Sequence, residues 1–329
     1  MRDGVVLVEN PTDEEFREVR KTLITGTDVG VLMGLSSFNS RYGLALEKRG
    51  RVPPKEENEA MWLGKVSEPN ILRAFERKMN RSPRPNRSIY INRDRTWMGA
   101  TPDAFLFDPE EGLEAKLVGL GGAYDWGEPG TEEVPLAYWA QCMWYMAVTG
   151  LDVWWLIAQI GTKTQIHPIH RDNAMIARMI EAADEFRSRF MLADELPEPT
   201  GDDLDTLAKQ FPVSTEGLIE ETPEIRALAE ALAEAKSKKA AVDAAVADAR
   251  AKLEAVIQDK ERIKGSNFTI SWKSSKEKKV VDWEEVVVDA IEKLPQKYST
   301  KVQKLVLART RTVPGPRFFR TSGPLFKED

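Results

Sequence analysis

Two short runs carry the residues best suited to chemistry, Thr101-Pro102-Asp103 and Glu114-Ala115-Lys116. In a strand, residues two apart share a face, so Glu114 and Lys116 project together while Leu113 and Ala115 point into the core. Asp108-Pro109 marks a turn between the runs. An antiparallel hairpin about it sets Asp103 opposite Glu114, with Cβ atoms about 5 Å apart. Two carboxylates so close repel each other unless a cation lies between them. Hard oxygen donors of this kind suit Mg²⁺ or Mn²⁺ rather than zinc. Lys116 beside them would orient or activate a water and stabilise developing negative charge. The competing reading is an exposed hairpin with a surface Glu–Lys pair. A Pro-Asp followed by Glu-x-Lys is a loose pattern and does not decide between the two.

Other residues extend the set. LGKVSE places Glu68 on a helix from which a further oxygen ligand would meet the hairpin. Tyr138 and Gln141, three apart, share one side of the helix that opens at Pro135. His167 and His170 form HPIH with no third ligand nearby, which excludes zinc and leaves them as strand-edge residues. Cys142, the one cysteine, excludes a disulfide framework or a CxxC site and reads as a small core residue. The loop from Gly119 to Gly130 lacks the GK[ST] ending of a phosphate loop. Trp126 within it would stack on a frayed base, or else pack against the surface. Trp154 and Trp155 read as core.

The elements that must position these groups follow from pattern. Thr12 with Glu15 is a capping box opening a helix to about Leu23. A short helix starts at Thr25 or Thr27, and a third follows Ser40, with Gly50 as its C′ residue. A long helical stretch covers about 55–80, with Pro69 expected to kink it or begin a new helix. SIYIN, TWMGA, DAFLF and EGLEAKLV are short β-type runs separated by turn residues. A helix over about 135–149, two strands (VWWLIAQIG and TQIHPIH) and a helix from Asp172 complete the region. This order suits an α/β fold with a mixed sheet flanked by helices.

The chain has 329 residues, 42% apolar and 30% charged, which excludes wholesale disorder and fits more than one structural unit. No apolar run approaches membrane-spanning length and the start lacks signal-peptide blocks, so a cytoplasmic protein without membrane contact is expected. The net charge is −6. It is unevenly spread: residues 262–329 hold 15 Lys+Arg against 8 Asp+Glu, and the remainder 32 against 45. An acidic body with a basic tail is compatible with a local anion-binding surface or simply with a solvated tail. The organisation expected is a core over 1–192, an acidic linker over 193–224, an Ala-rich helix or helical hairpin over 225–264, and a small basic module over 265–329 built on FTISWK, a helix around Trp283 and PRFFR.

The succession Glu68 in GKVSE, Asp103 in TPDA, Glu114 and Lys116 in GLEAK, and Tyr138 and Gln141 in YWAQCMWYMAVTG resembles the YqaJ-type viral recombinases. These are a branch of the phage lambda-type exonucleases within the PD-(D/E)XK nucleases. The opening ITGTDVGVLMGLSSFNSRYGLALEKRG is similar to that branch's first helical segment, and the likeness covers roughly residues 20–190. One position departs from it. The usual second Gln of the last motif is Met143 here, which is expected to pack.

The resemblance implies a PD-(D/E)XK restriction-endonuclease-like core with a helical and small basic α+β C-terminal extension. It implies Mg²⁺-dependent (or Mn²⁺-dependent) hydrolysis of linear double-stranded DNA, 5′→3′ from 5′-phosphorylated ends, in phage-type recombination by single-strand annealing. One or two ions would be held by Asp103, Glu114, Glu68 and the backbone carbonyl of Ala115, with Lys116 and Gln141 positioning the water. Arg20, Thr25, Thr27 and the helix start beside them would receive the 5′-phosphate, with Tyr138 against the DNA. A single-strand annealing recombinase as partner, a ring-shaped homo-oligomer, and a phage or prophage origin in a bacterial cytoplasm are implied in the same way. The alternatives are a structure- or site-specific endonuclease on the same core, or a non-catalytic DNA-binding or scaffold protein.

Overall fold

The computed structural model describes residues 4–36, 39–52, 57–107 and 109–272, together with 293, 295, 296, 298–300 and 302. It divides into two units, 1–212 and 213–329.

The first unit starts with a strand that the sequence reading lacked, β1 (Gly4–Val8). Helix α1 (Asp13–Thr22) has the expected capping box, closed by Thr12 and Glu15. Helices α2 (Gly26–Leu32) and α3 (Arg41–Lys48) follow, the latter capped by Ser40. Gly50 sits just past the end of α3 at φ 63°, a left-handed position that favours glycine. Helix α4 (Glu59–Met79) runs unbroken through Pro69 and stops at Asn80, which is left-handed. Pro69 neither breaks the helix nor starts a new one. Its ring is exposed, and the turns that follow are pinned by the burial of Ile71, Leu72 and Phe75.

Next come β2 (Arg84–Pro85), β3 (Ile89–Asn92), β4 (Gly99–Ala100), β5 (Ala104–Leu106) and β6 (Glu111–Val118). After a 3₁₀ turn over Leu120–Asp125 come α5 (Leu136–Thr149), β7 (Val153–Ile160), β8 (Lys163–His170) and α6 (Asn173–Phe186). One sheet has the order β1-β3-β4, the other β2-β5-β6-β7-β8. In the larger sheet β5 and β6 are antiparallel, β6 and β7 parallel, and β7 and β8 antiparallel. A parallel pair needs a crossover, and α5 supplies it.

Each face of this sheet is covered. On one side α4 packs Ile71, Leu72 and Phe75 against Leu113 and Ile157. On the other, α5 residues such as Met143 and Trp144 join Phe105, Trp154 and Leu156 in the main core. The alternation along β6 therefore turns Leu113 toward α4, and Glu114 and Lys116 toward α5.

The first unit continues past the end expected at 192. Residues 187–192 form a π turn, and Gly201–Asp203 lead into α7 (Leu204–Gln210). This part of the acidic segment is anchored rather than extended. Asp203 is buried, accepts a hydrogen bond from the Ser40 hydroxyl, and caps Thr200. Tyr42 donates its hydroxyl proton to Gln210 Oε1 at 2.8 Å, and Arg49 donates to the Phe190 carbonyl at 2.8 Å. Polar side chains that find partners on α3 order a stretch whose composition alone reads as solvated.

In the second unit, α8 (Pro223–Ile257) is one continuous helix, capped by Thr222 with proline in its first turn. It is followed by the hairpin β9 (Arg262–Lys264) and β10 (Thr269–Ser271), the latter within FTISWK. The expected helix at Trp283 and strand PRFFR lie outside the described residues.

Candidate active site

The hairpin register is the one that brings the two carboxylates together. Ala104 pairs with Leu113 and Leu106 with Glu111, and one step further along the same ladder Asp103 faces Glu114. Of the turn residues, Asp108 lies outside the described set. Asp103 leaves the strand end as a bend, and its Oδ2 accepts the Ala115 N–H at 2.7 Å. Glu114, almost fully buried, accepts two hydrogen bonds at Oε1, from Lys116 Nζ at 2.5 Å and from Gln141 Nε2 at 2.8 Å. Gln141 also donates to the Tyr145 hydroxyl at 2.8 Å, which in turn donates to the Thr101 carbonyl at 3.2 Å.

Glu114 Oε2 is buried with no hydrogen-bond donor. Its neighbour is the Asp103 carboxyl group, close enough to share a proton with it. When both are ionised, neither has a hydrogen to offer. Burial first, and then the Asp103 charge, raises Glu114 from 4.5 to about 8, with Lys116 opposing the shift. Burial also raises Asp103, against the pull of Lys116 and the Ala115 N–H. For Lys116, burial works to strip the proton, but the Glu114 and Asp103 charges outweigh it and hold the ammonium protonated. Its Nζ lies 5.1 Å from the centre of the Tyr138 ring.

Glu68 is half-buried on α4. Its carboxyl is raised to about 7 by burial and then by the Asp103 charge, which Lys116 and Arg87 oppose. It therefore senses the pair without joining it. Among the described residues, no three His, Cys, Asp or Glu side chains are gathered into a ready ligand cage. This corrects the expectation of three converged carboxylates. The reason is electrostatic: Glu68 lies close enough to feel the Asp103 charge, and like charges do not close on each other unaided. The pair itself fits a hard cation. An orphaned carboxylate oxygen opposed to a second carboxylate is the kind of oxygen donor pair that suits Mg²⁺ or Mn²⁺.

A second cluster lies at the start of α2. Arg20 donates to the Thr25 hydroxyl at 3.2 Å and to the Thr27 hydroxyl at 3.0 Å. Asp28, which the sequence reading passed over, organises the cluster. Its Oδ2 accepts the Thr25 N–H at 2.8 Å and the Thr25 hydroxyl at 2.9 Å, and its Oδ1 lies 3.6 Å from Arg20. Burial would raise Asp28, but Lys48 and Arg20 together hold it below the ordinary range. Lys48 is buried and donates to Asp28 at 2.7 Å, and to the carbonyls of Arg20 and Leu23 at 2.8 and 2.7 Å. The expectation that Thr25 would offer free donors is corrected accordingly, since Asp28 takes both its N–H and its hydroxyl. The signal for Asp28 was legible as the T-x-x-D of a capping box; nothing local marks Lys48.

The two clusters meet through α2 and α5. A Cβ placed on Gly26 would lie 2.8 Å from Gln141 Cγ, 2.9 Å from Tyr145 Cε1 and 3.2 Å from the Gln141 carbonyl oxygen. Gly26→Ala is therefore expected to destabilise the fold by roughly 1–3 kcal/mol and to displace Gln141. A thermal melt that shows no loss would contradict this close approach.

Two further expectations need correction. Trp126 is only 8% exposed, seated between the rings of Tyr138 at 5.8 Å and His167 at 5.5 Å, and so is out of reach of a base. The exposed aromatic of that loop is Tyr124, at 93%. His167 is buried rather than at an open strand edge, its Nδ1 2.8 Å from the Thr131 carbonyl oxygen. His170 instead pairs with Glu132 at 2.5 Å. Cys142, Met143 and Trp154 are buried as expected, and Trp155, half-buried, donates to Glu111 at 2.7 Å.

The core is thus an α/β unit, a mixed sheet with helices on both faces that carries Asp103 opposite Glu-Ala-Lys. Residues 15–152 match the model of the YqaJ-like viral recombinase domain. It is 26% identical over 197 residues to the uncharacterized protein YqaJ of Bacillus subtilis (strain 168). That alignment takes in 59% of this chain and 60% of the relative's length.

Solved structures similar to the chain include an alkaline exonuclease from Laribacter hongkongensis, at 18% identity and a TM-score of 0.44 over 54% of this chain and 93% of that one. The same enzyme in complex with dAMP gives 16% and 0.45 over 60% and 98%. A phage-related exonuclease from Haemophilus somnus 129PT gives 11% and 0.43 over 52% and 94%. Among the described residues no helix is long and apolar enough to cross a membrane.

Proposed function

We propose that this chain is a divalent-cation-dependent exonuclease that hydrolyses phosphodiester bonds of linear double-stranded DNA, working 5′→3′ from 5′-phosphorylated ends in phage-type recombination. The observation that carries this reading is the buried Glu114 Oε2, without a donor and opposed to Asp103. A divalent cation would satisfy both carboxylates at once, and Asp103, Glu114, the Ala115 carbonyl and Glu68 are the residues that would hold it. When bound, Mg²⁺ or Mn²⁺, as one or two ions, supplies Lewis acidity and a water acidic enough to attack near neutral pH.

The remaining work falls to side chains. Lys116, kept as an ammonium, orients the attacking water and offsets negative charge that builds on the phosphate. Gln141 fixes Glu114 Oε1 and so sets which oxygen stays open to the cation. Tyr138 borders the ammonium. Arg20, backed by Thr25 and Thr27, supplies the charged donor for a terminal phosphate. A single-strand annealing recombinase as partner and a ring-shaped homo-oligomer belong to this reading through the family alone, as does a site in the bacterial cytoplasm.

The test is digestion of a 5′-phosphorylated linear duplex and a covalently closed circle, with and without Mg²⁺. The linear duplex is consumed only with Mg²⁺ and the circle persists; cutting of the circle would make the protein an endonuclease. Arg20→Ala is expected to reduce the preference for 5′-phosphate over 5′-hydroxyl ends by about tenfold or more, the scale of a lost charged hydrogen bond. An unchanged preference in competition digests would move phosphate recognition elsewhere.

A further inference from the structure

Helix α8 carries a pattern that the proposed chemistry does not use. Every seventh residue from Ile225 gives Ile225, Leu232, Lys239, Val246 and Leu253. The positions three further on, from Leu228 to Val256, are all Leu, Val or Ala. Five heptads of this kind have the 3.5-residue period of a coiled-coil seam rather than the 3.6 of a helix packed on a globular core. The seam is open: Ile225, Leu228, Val242, Val246, Leu253 and Val256 are exposed. A helix of 35 residues is about 52 Å long, a length over which an open apolar seam calls for a partner of equal length.

We infer that α8 is the pairing surface for a second copy of this chain, running antiparallel. With the dyad between residues 240 and 241, each position of the first set faces one of the second. Leu228 meets Leu253 of the other copy. Leu232 faces Ala249 and Ala235 faces Val246, so large side chains fill the space left by small ones. Lys236 and Asp243 flank the seam and face each other across it in both directions. The parallel alternative sets Lys239 against its own copy, an unfavourable like-charge contact. In the antiparallel register Lys239 meets Val242, and its ammonium is already paired with Asp243 one turn along. A single polar residue in a seam is a device for fixing register.

The test uses the full chain with Leu228→Cys or Leu253→Cys, the native Cys142 being buried. Mixed and oxidised, the two variants form a disulfide-linked dimer, whereas each alone does not. A dimer from either variant alone, or none from the mixture, overturns the proposal. Val246→Asp introduced into both variants cuts the yield of the mixed dimer at least tenfold, with helicity checked by circular dichroism. Undiminished cross-linking would remove the seam from the contact.

Discussion

Asp103→Asn and Lys116→Ala are each expected to abolish Mg²⁺-dependent release of nucleotides, by about 10³-fold or more, while the thermal transition is kept. The size follows from what each group does. Removing a single preorganised charge-stabilising donor typically costs 10²–10³ in rate, and Asp103 also removes half of the carboxylate pair. The loss is not cumulative: the double variant should be no worse than the poorer single one, since residues that act as a unit fail together. Activity within tenfold of the parent in both single variants would show that the hairpin is structural and favour a DNA-binding scaffold.

Glu114→Gln is expected to push stability and activity in opposite directions. Its carboxyl ionises at about 8 in the folded chain against an ordinary 4.5. The folded chain thus holds a proton that the unfolded chain gives up. The stability linked to this group is complete below about pH 4.5 and is lost as the pH rises toward 8. A glutamine needs no proton, and its amide can donate to Asp103. The variant should gain on the order of 3 kcal/mol at pH 8 and nothing at pH 4.5, read as a Tm about 5 °C higher at the upper pH. Hydrolysis should fall by 10³-fold or more, because the amide cannot neutralise a cation. A variant less stable than the parent at pH 8 would mean that Glu114 is held ionised by partners other than a metal. Mg²⁺ is expected to raise the Tm of the parent at pH 8 and to leave that of Glu114→Gln unmoved.

How far the sequence carried these conclusions depends on how local each feature is. The Asp103–Glu114 pairing is a matter of hairpin register, set by the turn and by strand alternation, so it was legible from 12 residues of chain. Arg20, Thr25 and Thr27 sit within one turn-and-helix unit and were equally visible. Asp28 was within reach as a capping residue, but its depth and its link to Lys48 arise from the packing of α2 on α3, which leaves no local mark.

Trp126 went the other way. A glycine-rich loop suggests exposure, but the tertiary contacts of Tyr138 and His167 draw the indole inward. Strand β1 escaped notice because GVVLV is too short to show alternation, and its pairing with β3 is long-range. Glu68 illustrates the limit most plainly. Its helix was legible, but not that packing would half-bury its carboxylate within reach of the Asp103 charge.

If Asp103 and Glu114 form one half of a divalent-cation site, the ion should bind without substrate. Titration of the parent chain with Mn²⁺, followed by electron paramagnetic resonance, tests it without DNA or turnover. One or two ions should bind per chain at pH 8, and that binding should be lost in Asp103→Asn. Equal binding by parent and variant, or no binding by the parent, would contradict it.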